Sequence, residues 1–334
     1  VLIISLAGCF SRRGKKQEDR PLIGFSIATD TFIIERWNKD IKIFTGAAAD
    51  LGADVLVQLS AGGTQEQIAQ INFMLGRDID VLVVIAHDTE MLSGVIRKVR
   101  DAKIPVIAYD RLIMGVPVDA YISFNNREVG RLFGKALLHE VPKGNYLVVN
   151  GSIRDSNSYE VNGGLYEILT PAIDRGDIVI GEEIWLDEWS SDEALQKIGE
   201  VFERTLDFNA ISCANDQIAS AAVQLLSEYR LAGKVAVVGQ DADIGACQKI
   251  VEGSQLMTVY KPIARLASRA AKLAVALANG KEPVPDLYMD NRSGSMIPFF
   301  IEEPKSVFRN NIDSSIIADG FHSAEDVYRN SPER

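Results

Sequence analysis

A chain of 334 residues, 47% of them hydrophobic, is long enough to bury a sizeable core and suits two domains. Its 46 acidic and 35 basic side chains give a net charge of −11, which argues against a nucleic-acid surface, because phosphate binding needs a basic face. No internal apolar run reaches the roughly 20 residues that cross a bilayer.

The first run, Val1–Phe10, is apolar but too short to span. Its Leu6-Ala7-Gly8-Cys9 reads as a lipobox, the signal-peptide end at which a cysteine is acylated, with the charged start of the signal expected upstream of Val1. Cys9 is therefore the expected lipidation site. Ser11–Arg20 is polar, charged and aperiodic, as a flexible tether should be. Arg12, Arg13, Lys15 and Lys16 beside the anchor favour an anionic membrane surface. Residues 1–20 thus predict a protein held outside the cytoplasmic membrane by lipid rather than by a span.

From residue 22 one unit recurs about ten times: a short β-branched run, polar residues at its carboxyl end, then an amphipathic helix. The runs are Leu22–Ala28, Val55–Leu59, Val81–Ala86, Val106–Ala108 and Tyr121–Phe124, then Tyr146–Asn150, Ile178–Trp185, Ala210–Cys213, Val235–Gly239 and Leu256–Val259. Between them, Arg36–Leu51 carries Ile41, Phe44, Ala48 and Leu51 on one helical face. Thr64-Gln65-Glu66-Gln67 and Ser190-Ser191-Asp192-Glu193 have the capping-box form. Ile263–Asn279 is an alanine-rich helix stopped by Gly280 and Pro283; strand-like Leu287–Asp290 and Met296–Ile301 and a polar tail follow. The series divides after Phe124 and restarts at Asn126. This pattern predicts an α/β protein of two similar, doubly wound parallel-sheet lobes joined by crossovers.

Such sheets hold ligands at the carboxyl ends of their strands. There stand Arg36-Trp37, Asp110-Arg111, Asp155, Asn157, Asn215-Asp216, Asp241 and Lys261. A sugar offers hydroxyls at its rim and C–H groups on its faces, so it needs fork-like polar groups and aromatic plates. Trp37 and Trp189 are the candidate plates, because both lie beside charged residues rather than within apolar runs; core filling is the competing role. Each aspartate can accept two hydroxyls and each arginine presents a planar fork. Asp216 is expected to be a helix N-cap, a role also open to Asp241 and Asp243.

Enzyme motifs are missing from the sequence: no GxxxxGK[ST], no GxGxxG after the first strand, no GxSxG. Paired carboxylates can run glycoside hydrolysis, but acids and amides spread evenly over strand ends suit binding better than a concentrated catalytic pair. His87, His139 and His322 lie in no ligand-like motif, so neither a metal nor a cofactor is expected. Cys213 and Cys247, with no CxxC, are expected to be buried free thiols.

Several segments, in order along nearly the whole chain from residue 22, carry a resemblance. They are Glu35-Arg36-Trp37-Asn38-Lys39-Asp40, Ala108-Tyr109-Asp110-Arg111, Tyr121-Ile122-Ser123-Phe124-Asn125-Asn126, Gly239-Gln240-Asp241-Ala242-Asp243, Met257-Thr258-Val259-Tyr260-Lys261-Pro262 and Asp319-Gly320-Phe321-His322. Through them the chain resembles the periplasmic sugar-binding proteins of the ribose/galactose type, and most closely those that bind D-xylose for bacterial importers. The resemblance implies two lobes, residues 21–126 with 263–302 and residues 127–262 with 303–330, joined by a three-strand hinge near Asn126, Pro262 and Glu302 and closing on one pyranose. It carries ligand contacts onto Arg36, Trp37, Arg111, Asp155, Asn157, Trp189, Asn215, Asp241 and Lys261, with Trp185 competing for the place of Trp189. The first loop, Ala28-Thr29-Asp30-Thr31, departs from the family's.

Two roles follow as expectations: a lipid-anchored receptor that delivers xylose to an ABC permease, or a sensor whose sugar-bound form docks on the ectodomain of a membrane histidine kinase or chemoreceptor. A sugar-responsive repressor would need an amino-terminal helix-turn-helix, where this chain has the lipobox and tether.

Overall fold

The computed structural model describes residues 20–29 and 34–331. The lipobox with Cys9, the tether through residue 19, and Asp30 and Thr31 of the first loop lie outside the described residues. The first sheet grows through β1 (Leu22–Ala28), α1 (Ile34–Asp50), β2 (Asp54–Ser60), α2 (Thr64–Leu75), β3 (Val81–Ile85), α3 (Ser93–Asp101), β4 (Val106–Tyr109) and β5 (Ala120–Phe124). The chain then crosses through α4 (Asn126–Glu140) to a second sheet. This one is built from β6 (Gly144–Ser152), α5 (Ser156–Asp174), β7 (Ile178–Leu186), α6 (Ser191–Arg204), β8 (Ala210–Cys213), α7 (Asp216–Glu228), β9 (Ala236–Gln240), α8 (Ile244–Glu252) and β10 (Met257–Tyr260). A second crossing leads into α9 (Ile263–Ala278) and the hairpin β11 (Leu287–Asp290) and β12 (Met296–Glu302) on the first sheet. A third brings β13 (Lys305–Val307) to the second sheet, followed by a π-helical turn, Asp313–Ile317, and α10 (Ala324–Val327).

The sheet orders are β11-β12-β5-β4-β3-β1-β2 and β13-β10-β9-β8-β6-β7. Every pairing is parallel except the edge pairs β11–β12 and β10–β13. Helices cover both faces of each sheet. In the first lobe, Trp37 and Phe44 of α1 and Leu266 and Ala270 of α9 pack on β1, β3 and β5, while Ile71 of α2 and Ile96 of α3 pack on the other face. In the second, α4 and α5 cover one face and α6 and α7 the other.

The closest helix contact is α4 on α5. A Cβ at Gly130 would come 1.9 Å from the Val161 carbonyl oxygen, and one at Gly164 would come 1.9 Å from that of Arg127, so only glycine lets these backbones touch. The contact places the amino end of α5, which carries Asp155 and Asn157, beside the first lobe.

Two helix starts differ from the sequence expectation. Thr64 does not cap α2: Gly63 does, with φ 81°, and the Glu66 carboxylate accepts from the Gly62 N–H instead. The cap of α7 is Asn215, whose side-chain oxygen accepts from Ile218 N–H, and Asp216 is the first helical residue. Ser190 does cap α6, with the Glu193 carboxylate reaching back to the N–H groups of Asp187 and Glu188.

Candidate binding site

Because both sheets aim the carboxyl ends of their strands at the space between the lobes, the nine sequence-predicted residues converge there. Arg36, Trp37 and Arg111 from the first lobe and Asp155, Asn157, Trp189, Asn215, Asp241 and Lys261 from the second line one cleft, together with Asp110 and Gln240.

Two carboxylates enter the cleft on unusual backbone. Asp110, after β4, has φ 63°, and Asp241, after β9, has φ 96° with Ala242 at 56°. Left-handed non-glycine residues cost on the order of 1–3 kcal/mol each and persist where the surroundings over-determine them. Here the Asp110 N–H donates to Ile122 O and the Asp241 N–H to Val259 O, each at 2.8 Å, which fixes both turns on the neighbouring strand.

A buried ion pair joins the lobes: Arg111 Nε lies 2.9 Å from Asp155 Oδ2, with both side chains 3% exposed. Arg111 also donates to the Ala86 carbonyl. Asp155 caps α5 by accepting from Asn157 N–H at 2.9 Å and accepts from Trp189 Nε1 at 3.0 Å. Burial pushes its carboxyl above the usual range, with Arg111 pulling the other way. Asn157 donates to Asp110 across the cleft and accepts from Asn126 at 2.9 Å.

Arg36 is the hub on the first-lobe side. It pairs with Asp110 and lies 3.8 Å from Asp40 Oδ2 and 3.7 Å from Asp241 Oδ1. Burial works to discharge the guanidinium, but the surrounding carboxylates outweigh it and hold the charge. Burial likewise opposes ionisation of Asp110, yet Arg36, Lys261 and Arg111 keep its carboxyl below the usual range. Beneath them Tyr109 donates to Asp40, which burial pushes up to about 7 against the pull of Arg36 and that hydrogen bond.

The aromatic candidates divide. Trp37 belongs to the first lobe's core, as its competing role expected, is 1% exposed, and has the Arg36 guanidinium 4.4 Å over its ring; it also lines the cleft. Trp189 lies flat on Gly151, where a Cβ would stand 2.2 Å from the ring. Trp185, its competitor, stacks on Tyr159 at 4.8 Å and does not line the cleft.

Several cleft residues already satisfy one another, and the atoms left over define what a ligand must supply. Among the described residues that line the cleft, Arg36 Nε, Trp37 Nε1, Gln240 Oε1 and Asp241 Oδ1 are buried and make no hydrogen bond, although Arg36 Nε stands 3.8 Å from Asp40 Oδ2 and Lys261 Nζ 3.3 Å from Asp241 Oδ1 as ion pairs. Two donors and two acceptors without hydrogen bonds call for groups that both accept and donate, which is the property of hydroxyls. Three cations (Arg36, Arg111, Lys261) face three carboxylates (Asp110, Asp155, Asp241), so the lining suits a neutral molecule. Gln240 was missed as a candidate, although it ends β9 and the strand-end rule reaches it; its Nε2 donates to Ala214 O at 2.6 Å.

Cys213 and Cys247 are buried free thiols, and burial pushes both up. Among the described residues no group of three or more His, Cys, Asp or Glu is arranged to hold a metal ion, and no helix is long and apolar enough to cross a membrane.

Comparison with known proteins agrees with this architecture. The periplasmic binding protein domain matches residues 25–282. The chain is 39% identical to the D-xylose-binding periplasmic protein of Haemophilus influenzae over 98% of both chains. It is 40% identical to that of Escherichia coli, over 91% of this chain and 92% of the other. Among solved structures, an ABC transporter solute-binding protein of Clostridium phytofermentans with bound β-D-glucose superposes with a TM-score of 0.83 at 26% identity, covering 92% of this chain and 99% of that one. A carbohydrate transporter solute-binding protein of Chloroflexus aurantiacus in complex with D-glucose gives 0.85 at 25% identity, covering 91% and 97%. The chain belongs to the periplasmic binding protein family, in its two-lobed sugar-binding branch, whose members bind solutes rather than transform them.

Proposed function

We propose that this protein binds D-xylose in the interlobe cleft and delivers it to an ABC importer, as a lipoprotein anchored through Cys9 to the outer face of the cytoplasmic membrane. The observation that carries the sugar reading is the set of buried atoms without a hydrogen bond on Arg36, Trp37, Gln240 and Asp241 in a charge-balanced cleft. Xylose is chosen because relatives near 40% identity over most of the chain bind it. The anchor rests on Leu6-Ala7-Gly8-Cys9.

The lobes, residues 21–126 with 263–302 and residues 127–262 with 303–330, turn on the three crossings near Asn126, Pro262 and Glu302. Sugar drives closure because it binds the closed arrangement better than the open one. Arg111–Asp155 and Asn157–Asp110 form only when the lobes meet, so they add to that preference. Asp241, Lys261 and Arg36 take hydroxyls through charge-assisted bonds of roughly 1.5–3 kcal/mol each. After desolvation and ordering, a handful of these gives micromolar affinity, near about −8 kcal/mol.

The test is calorimetric titration with D-xylose, L-arabinose, D-ribose and D-glucose. Micromolar binding with D-xylose tightest is the expected outcome, and no binding to any of the four overturns the reading. Sugar-dependent co-purification with a permease, rather than with a kinase or chemoreceptor ectodomain, is expected; the reverse makes the protein a sensor.

A further inference from the structure

Beside the sugar cleft a second hollow shares Arg36, Asp241 and Lys261 with it and is walled by Phe321 and His322, from the segment before α10. That segment is anchored on the second lobe. Ile312 and Ile316 of the π-helical region are buried in its core, Gly320 turns with φ 67°, and Phe321 N–H donates to Ile316 O at 3.0 Å.

What the segment reaches is the turn that presents Asp241. His322 Nε2 stands 2.7 Å from the Ala242 carbonyl oxygen, and since a carbonyl only accepts, the ring carries its proton on that nitrogen. The rest of the turn is held from the other side. Ala242 N–H donates to Thr258 Oγ1 at 3.2 Å and Asp243 N–H to Asp216 Oδ2 at 3.0 Å, while Asp216 also accepts from Thr258 Oγ1 at 2.7 Å. Two consecutive residues with positive φ need such enclosure, and the Ala242 carbonyl receives its share from His322.

Phe321 extends the hold to the other lobe. Its ring lies 4.9 Å from Tyr260 of β10 and 4.7 Å from Lys39 Nζ of α1, and it packs against the cores of both lobes.

We propose that Phe321 and His322 belong to the binding machinery: His322 is a positioning residue that fixes the Asp241 carboxylate for the sugar, and Phe321 ties that turn to α1, slowing sugar release. This rests on the reading of the cleft as a sugar site.

The experiment compares wild type, His322→Leu and His322→Gln for D-xylose affinity by calorimetry, release rate by stopped-flow fluorescence, and unfolding temperature without sugar. Glutamine keeps a donor near the place of Nε2; leucine does not. His322→Leu is expected to bind about five- to tenfold more weakly, through faster release, and His322→Gln to recover to within about twofold. Leucine binding within about twofold of wild type overturns the proposal. So do equal losses in both variants accompanied by equal falls in unfolding temperature, which mark a purely structural role. Wild type that binds none of the four sugars is a different failure, since it removes the cleft reading itself.

Discussion

Asp110 and Asp241 occupy corresponding places in the two lobes. Each follows an inner strand, each has a positive φ, and each is pinned by its N–H to the carbonyl of the adjacent strand. Their carboxylates meet different surroundings. That of Asp110 is claimed by Arg36 and by Asn157 from the opposite lobe. That of Asp241 keeps one oxygen without a hydrogen bond, with Lys261 and Arg36 at 3.3 and 3.7 Å. The same strained turn therefore makes a clamp in the first lobe and an open acceptor in the second. Backbone sets where the carboxylate stands, and its neighbours decide whether it is spent on the protein or left for a ligand.

The largest expected effect comes from the pair that joins the two lobes. Arg111→Met leaves Asp155 buried without its cation, a change that costs about 3–5 kcal/mol where a buried pair is broken. The cost falls on the closed arrangement, because open lobes let water reach Asp155. D-xylose affinity should fall at least about 100-fold while the unfolding temperature of the sugar-free protein moves little. Calorimetry and thermal unfolding on the same samples check this.

The direct test of the comparison is Asp241→Asn beside Asp110→Asn. Asp241→Asn should weaken sugar binding by roughly 10- to 100-fold, one charge-assisted bond, and leave sugar-free stability within about 2 °C. Asp110→Asn should lower the unfolding temperature by about 5 °C, because it strands the buried Arg36 beside a neutral amide. Equal losses of stability would break the distinction between clamp and acceptor.

Each lobe also keeps a buried acid behind its cleft carboxylate: Asp40 under Arg36, and Asp216 under the Asp241 turn. Burial raises both carboxyls, that of Asp40 to about 7 from an ordinary 3.8, and that of Asp216 with help from Asp243. Between about pH 4 and 7 the folded protein retains a proton on Asp40 that the unfolded chain has released. Stability should therefore fall as pH rises through that window, by at most about 1.4 kcal/mol per unit for one proton. The lowered carboxyl of Asp110 acts with the opposite sign, below the window. Asp40→Asn should remove its part of the slope and leave those of Asp216 and Asp155, whose carboxyl burial also raises, as pH-dependent urea unfolding would show.

Much of this was legible in the sequence. β-Branched runs and helical spacing located the strands, and the strand-end rule gathered Arg36, Arg111, Asp155, Asn157, Asn215, Asp241 and Lys261 before any coordinates. What escaped depends on distance in space. Nothing in Tyr109-Asp110-Arg111 announces a left-handed aspartate. Arg111 meets Asp155 and Asn157 meets Asp110 only because the lobes face each other. The α2 cap moved from Thr64 to Gly63 because Glu66 found the Gly62 N–H, a choice between neighbours of similar propensity. Gln240 was within reach of the rule used, whereas His322 lies on no strand end and acts through a carbonyl.

The smallest effect separates two tryptophans that the sequence left in competition. Trp189 is tied to the cleft twice: its ring covers Gly151 and its indole nitrogen donates to Asp155, the residue that also holds Arg111. Trp185 has neither link. Its ring stacks on Tyr159 and its carbonyl accepts from Lys197 Nζ at 2.9 Å, a bond the backbone keeps whatever the side chain. Trp185→Ala should therefore cost only the aromatic pair, about 0.5–1.5 kcal/mol of stability beyond lost burial, and leave D-xylose affinity within about twofold. A large loss of affinity in that variant, with Trp189→Ala unaffected, would move the sugar's aromatic plate from the cleft wall to the outer face of β7 and require a different bound pose.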